Sequence, residues 1–185
     1  MTTGKRTHDP NNSSHLVLWR CIDTDGVDTC HYLQHANKWK LSGTAIFRLD
    51  YRVVCDTAWN SLSARVAGRV DRRQIDVDLV RTKSNCWELN GSAINGVDGL
   101  LEIDPGFTPA TNAIKRLNLR TEEQAETKAV WFDICDWSFK PLLQAYHRHS
   151  ELMYTYKSPS NHYQTDLQVD EFGIVRCYPD LWQAV

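Results

Sequence analysis

Three groups of residues have the types and spacing for chemistry. Cys30, His31 and His35 fall in one short segment, and His147 and His149 would share one face of a strand. Nitrogen and sulfur ligands suit zinc, but a site needs three or four that converge. The chain has no CxxC pair and no HExxH helix, so no metal and no cofactor is expected. Asp98 and Asp104 flank a turn and could work as a carboxylate pair, although Asp before Gly99 or Pro105 is also ordinary turn chemistry. Cys135 sits in the strand-like run Trp131 to Trp137 without a GxSxG elbow anywhere, so it reads as a buried structural thiol. Gly96, Gly99 and Gly106 match no phosphate-loop spacing.

The aromatic side chains form a further group. Trp59, Trp87, Trp131, Trp137 and Trp182 join Tyr51, Tyr146, Tyr154, Tyr156 and Tyr178. Each has an apolar body and a polar tip, which suits a cavity for a ligand with apolar and hydroxylated parts, and equally suits core filling. Arg65, Arg69, Arg72 and Arg73 alternate with Asp71, Asp76 and Asp78 around a hairpin tip, the pattern of a solvated hairpin.

The elements that position these groups are mostly strands. From Thr44 to Val54, Ala45, Phe47, Leu49, Tyr51 and Val53 alternate with polar residues, the period of a half-buried strand. Similar runs predict strands at 62–70, 75–81, 126–137, 152–157 and 163–169, with turns at Asp25-Gly26, Asn90-Gly91, Asn95-Gly96 and Phe172-Gly173. These spacings suit an antiparallel meander and not a doubly wound nucleotide fold. The spacing predicts one helix over 108–117, with Thr108 as its cap, Pro109 in its first turn, and Ala110, Ala113, Ile114 and Leu117 as its apolar stripe. Its N-terminus would offer free N–H groups to an anion. Val54, Cys55, Asp56, Trp59 and Leu62 match Ile134, Cys135, Asp136, Phe139 and Leu142 at one offset, a sign of internal duplication.

The bulk properties bound the rest. A chain of 185 residues fits one domain and can bury a core without metal or disulfide. A net charge of -2 gives no electrostatic case for nucleic acid or an anionic membrane surface. Six scattered cysteines read as reduced thiols, and the polar start without an apolar stretch reads as a tail on a cytoplasmic protein with no transmembrane segment. The expected organisation is a disordered tail over 1–14 and one domain over 15–185.

A set of local strings carries a resemblance. They include Gly43-Thr44-Ala45, Tyr51-Arg52-Val53, Cys55-Asp56, Ser63-Ala64-Arg65-Val66, Trp87-Glu88-Leu89-Asn90-Gly91 and Gly106-Phe107-Thr108-Pro109-Ala110-Thr111-Asn112. Later come Leu142 to Tyr146, Tyr154-Thr155-Tyr156, Asp166-Leu167 and Tyr178-Pro179-Asp180-Leu181-Trp182. From about Leu16 to Trp182 the chain resembles the "Putative glycolipid-binding" family of bacterial proteins. The resemblance implies a spiral β-roll: a mostly β, many-stranded antiparallel sheet wrapped around a single α-helix. It also implies non-catalytic binding of a glycolipid or other amphiphile between sheet and helix.

For such a ligand the candidate residues are Arg65, Thr108, Asn112 and Arg116 at the mouth, with Trp59, Trp87 and Tyr146 as lining. Two other readings stay open at this point. One is a small enzyme using Asp98, Asp104 or a histidine in the same cavity, and the other is a protein-interaction module without a ligand. Ligand identity and oligomeric state are not legible.

Overall fold

Period-two alternation produces a strand almost everywhere it occurs in this chain. In the computed structural model, which describes residues 13–24, 26–45 and 48–185, Leu49, Tyr51, Val53 and Cys55 of one strand point inward between polar neighbours. Ile75, Val77 and Leu79 of another do the same. The strands are β1 (Ser14–Cys21), β2 (Val27–His35), β3 (Lys38–Ala45), β4 (Leu49–Asp56), β5 (Ser61–Val70), β6 (Arg73–Arg81), β7 (Trp87–Leu89), β8 (Ser92–Ala93) and β9 (Glu102–Asp104). After the helix α1 (Ile114–Leu117) follow β10 (Gln124–Asp133), β11 (Ser138–Arg148), β12 (Met153–Ser158), β13 (Tyr163–Val169), β14 (Val175–Tyr178) and β15 (Trp182–Ala184).

All 15 strands form one sheet in the order β8-β7-β6-β5-β4-β3-β2-β1-β15-β14-β13-β12-β11-β10-β9. Two meanders therefore meet where β15 pairs with β1, placing Trp19 beside Ala184 and Cys21 beside Trp182. Every pairing is antiparallel except β9 with β10. The β9 edge curls back toward β5: the Ser61 amide donates to the Leu101 carbonyl at 2.8 Å, and the Ile103 amide to the Ser61 hydroxyl at 3.3 Å. A twisted sheet of this width must curl to bury one face, and this one rolls around the segment between β9 and β10.

Several expectations are corrected. The strand expected over 44–54 is the end of β3 and most of β4, with Arg48 at a left-handed φ of 57° just before β4; Ile46 and Phe47 of that run and Asp25 of the first turn signal lie outside the described residues. The strand expected over 126–137 ends at Asp133, whose carboxylate accepts the Cys135 amide at 2.9 Å and starts a turn. Cys135 is consequently exposed, not buried, whereas Cys55, its partner in the repeat offset, lies buried in β4. β1 begins at Ser14, and residues 1–12 of the expected tail lie outside the described residues.

The predicted ten-residue helix has only four residues, Ile114–Leu117. Thr108 does not cap it, because its hydroxyl donates to the Asp28 carboxylate and accepts the Ala110 amide at 3.1 Å. The Ala110 carbonyl is taken by the Tyr32 hydroxyl at 2.8 Å, and Asn112 Oδ1 accepts the Ile114 amide at 3.1 Å. Tyr32 of the sheet and the segment's own Thr108 and Asn112 thus satisfy backbone groups that a helix would have paired internally. Ala113 and Ile114 of the expected stripe are still buried.

Candidate functional site

The side chains inside the roll fall into two bodies. Under β1 to β7 lies a continuous core in which Trp19, Leu49, Val53, Leu79 and Trp87 are fully buried. Under β11 to β14, around α1, the core is made largely of Tyr146, Tyr154 and Tyr156 with Leu167, Val169 and Val175, and Tyr163 and Tyr178 pack on it half-buried. Tyrosines at inward positions bring hydroxyls into the interior, and those hydroxyls need partners or a polar space.

That space is a cavity of about 380 Å³ between the inner face of β11 to β15 and the 104–112 segment. Trp131, Tyr146, Tyr156, Tyr163, Tyr178 and Trp182 contribute its rings, and Leu142, Leu167, Val175 and Leu181 its aliphatic wall. Tyr156, Tyr163 and Tyr178 form a triangle with centroid separations of 6.2, 6.1 and 6.1 Å. Asp104, Gln144, Thr111, Asn112, Ser158 and Asn161 supply the polar groups. Two of these, Thr111 Oγ1 and Ser158 Oγ, are buried without a hydrogen-bond partner among the described residues. Such unpaired hydroxyls are rare in an interior.

Asp104 is the cavity's carboxylate. Its Oδ1 accepts the Gly106 amide at 2.9 Å and its Oδ2 the Gln144 amide at 2.8 Å, both neutral donors. Burial pushes its carboxyl up to about 6, against the pull of those two hydrogen bonds and with a small push from Glu102. Gly106 is required for this approach: at φ +73° a Cβ would stand 2.5 Å from the Phe132 carbonyl. Two residues earlier on β9, Glu102 has what Asp104 lacks. Arg116 Nε donates to it at 2.6 Å, and Thr127 bridges the pair, receiving Arg116 Nη2 at 2.6 Å and donating to Glu102 at 3.0 Å.

An adjoining pocket of about 40 Å³ shares Asp104, Thr111, Asn112 and Gln144 with the cavity. Trp59 lines it, held by a left-handed turn (φ 64°) in which its amide donates to the Asp56 carbonyl at 3.1 Å. Lys115 completes it, with Nζ 4.0 Å from the Phe172 ring centroid and 5.4 Å from that of Trp59. Burial holds the Lys115 ammonium below its usual range, partly offset by Asp170.

Of the sequence candidates, Thr108, Asn112 and Tyr146 line the cavity and Trp59 the adjoining pocket. Trp87 is fully buried in the first core, where its indole N–H donates to the Leu100 carbonyl at 2.8 Å. Arg65 stands on the outer face of the β5–β6 hairpin and pairs with Asp76 at 2.8 Å. Arg116 is occupied by Glu102. Sequence reasoning missed Asp104 with Gln144 as a polar pair, Thr111, Ser158 and Tyr163, and it named Tyr178 only among the aromatics that could line a cavity or fill a core. The string Tyr154-Thr155-Tyr156 was visible, but which tyrosines face a common space depends on pairing across β12, β13 and β14.

His147 and His149 come together, with ring centroids 4.2 Å apart, beside a separate hollow of about 620 Å³ that Glu126, Thr155, Lys157 and Gln164 also line. His149 is hydrogen-bonded to Thr155 at 2.6 Å, and Thr155 donates to Asp166 at 2.6 Å. Cys30 is fully buried while His31 is exposed on the opposite face of β2. Among the described residues no three or more His, Cys, Asp or Glu are gathered to hold a metal. Nor is any helix there long and apolar enough to cross a membrane.

A crystal structure of a DUF1089 family protein from Pseudomonas aeruginosa shares this fold, with a TM-score of 0.68 at 24% identity over 99% of this chain and 97% of that one. No curated protein matches. The family model described as "Putative glycolipid-binding" matches residues 16–184, nearly the whole sheet from β1 to β15, and on that extent the chain belongs to this family.

Proposed function

We propose that this protein binds an amphiphile, a glycolipid in kind, in the 380 Å³ cavity under β11 to β15, and performs no chemistry on it. The observation that carries this reading is the make-up of the wall. Six aromatic rings and four aliphatic side chains share the lining with Asp104, Gln144, Asn112 and Asn161, so apolar and polar groups border one space. A volume of that size falls in the range of small-ligand sites, at the end that takes one sugar ring or a short apolar segment. Apolar parts of the ligand leave water at roughly 25 cal/mol per Å², and its hydroxyls bond the polar groups of the wall, Asp104, Gln144 and Asn112.

Within this reading Thr108, Asn112 and Tyr146 contact the ligand, and Trp59 faces a second, smaller compartment behind Asn112. Trp87, Arg65 and Arg116 support the structure from outside the cavity. General acid–base catalysis calls for two titrating groups facing one reacting centre. The lining holds Asp104 with no histidine, cysteine or lysine, and neighbouring Glu102 is locked to Arg116. A cytoplasmic setting fits six free thiols, three of them buried.

Native mass spectrometry of freshly purified protein, paired with organic extraction, tests the reading. A stoichiometric amphiphile that disappears in a Leu167→Trp variant, which fills the cavity, is the expected result. A bare mass that stays bare after incubation with a broad lipid extract would remove it.

A further inference from the structure

The charge of the cavity narrows what enters it. Among its 19 lining residues there is one carboxylate, Asp104, and no lysine, arginine or histidine. On the same strand Glu102 has a guanidinium and a hydroxyl to itself, whereas Asp104 receives only the Gly106 and Gln144 amides and forms no ion pair among the described residues. Asp104 is half-buried at the cavity wall; a carboxylate partly withdrawn from water without a counter-charge is costly, and a ligand that brings the counter-charge recovers part of that cost on binding. The rings beside it point the same way, because a tyrosine or tryptophan face attracts a cation and repels an anion. Tyr156 and Tyr178 both lie close enough to Asp104 for their phenols to feel its charge, and all three residues line the one cavity.

We infer that the head group taken by this cavity carries an ammonium, seated between Asp104 and the rings of Tyr156, Tyr163 and Tyr178, and that anionic head groups are refused. The inference rests on the amphiphile-binding reading and sharpens it from a neutral sugar to a cationic one. An amino sugar and a quaternary alkylammonium share that chemistry.

Titration calorimetry with four probes of equal chain length, each below its micelle concentration, tests it: decyl glucoside, decyl glucosaminide, decyltrimethylammonium and decyl phosphate. At pH 7.5 at least one of the two cationic probes should bind ~10-fold or more tighter than decyl glucoside, and decyl phosphate should not bind. Which cation binds tighter tells amino sugar from quaternary ammonium. In Asp104→Asn, which keeps an Oδ1 for the Gly106 amide, the ratio of cationic to decyl glucoside affinity should fall to about one; an unchanged ratio overturns the inference.

The wild-type protein provides an arm free of any folding risk. The affinity for decyltrimethylammonium, whose charge does not titrate, should fall as pH drops through about 6, where Asp104 takes up a proton. The groups facing Asp104 are Glu102 on β9, held by Arg116; Tyr146 on β11, Tyr156 on β12 and Tyr178 on β14, all pushed well above their usual range by burial; and, in the adjoining pocket, Lys115 of α1. Equal binding of decyl glucoside and both cations, or binding of decyl phosphate, overturns the ammonium inference and leaves amphiphile binding standing. Failure of all four probes overturns both.

Discussion

The two halves of the sheet use the same strands and pairing rules to opposite ends. Under β1 to β7 each inward polar group is closed: Trp19 Nε1 donates to the Val175 carbonyl at 2.6 Å, Trp87 Nε1 to Leu100, and the Tyr51 and Thr108 hydroxyls to Asp28. Under β11 to β15 the inward residues include tyrosines whose hydroxyls are bonded, Tyr146 to the Ala113 amide and Tyr156 to Gln144, beside a cavity of about 380 Å³. The first half is packed as a continuous core, and the second leaves open space among its rings.

The strongest way to break this contrast is to disturb the closed half. Gly43 of β3 lies where a Cβ would stand 2.0 Å from the Thr29 carbonyl and 2.6 Å from the Tyr51 ring. Neither the strand pair nor a ring bonded to Asp28 can yield. Gly43→Ala should cost on the order of 5 kcal/mol, read as loss of the cooperative transition in urea; a stable variant would show that this half is looser than it looks.

Next comes the pair that joins the halves. Arg116→Ala strands Glu102, only 9% exposed in its side chain, and should cost about 3 kcal/mol. The double variant Arg116→Met with Glu102→Gln should recover most of it, because no charge is then left unpaired. If the double is as weak as the single, packing and not charge explains the loss.

Asp28 sharpens the comparison through pH. Burial pushes its carboxyl up to about 7, against the hydrogen bonds from Thr108 and Tyr51. A group whose folded pKa lies above its unfolded value of 3.8 adds stability that is complete below 3.8 and lost as pH rises through about 7. The wild-type melting temperature, relative to that of Asp28→Asn, should therefore fall by several degrees between pH 4 and pH 8. Parallel curves would mean that Asp28 stays charged and fully compensated.

The smallest effect distinguishes the open half. Ser158→Ala removes a hydroxyl that bonds nothing, so stability should stay within ~0.5 kcal/mol of wild type. With the Ser158 oxygen closed off from the cavity, the substitution should also leave the proposed amphiphile binding within about twofold of wild type. A clear loss of stability would mean that the hydroxyl is not spare.

The strand pattern was legible because alternation is local. The runs at 62–70 and 163–169 are β5 and β13 to within a residue. The ends were less legible where a side chain stops a strand, as Asp133 does, or where a left-handed residue precedes one, as Arg48 does. The helix was overestimated for a reason outside its own sequence. Thr108, Ala110 and Asn112 have the composition of a capped helix, but Asp28, Tyr32 and Tyr51 arrive from strands 57 to 80 residues away and take the hydrogen bonds of Thr108 and Ala110 first.

By itself the sequence determined a β-rich chain, its turn positions, a short buried helical segment and a supply of aromatic residues, all consequences of spacing between near neighbours. Only the tertiary structure decided which tyrosines share a space, that Glu102 is paired and Asp104 is not, and that Arg65 lies outside. Pairing and orphanhood are properties of contacts between distant strands. A residue's type states what it needs, and the fold decides whether the chain supplies it.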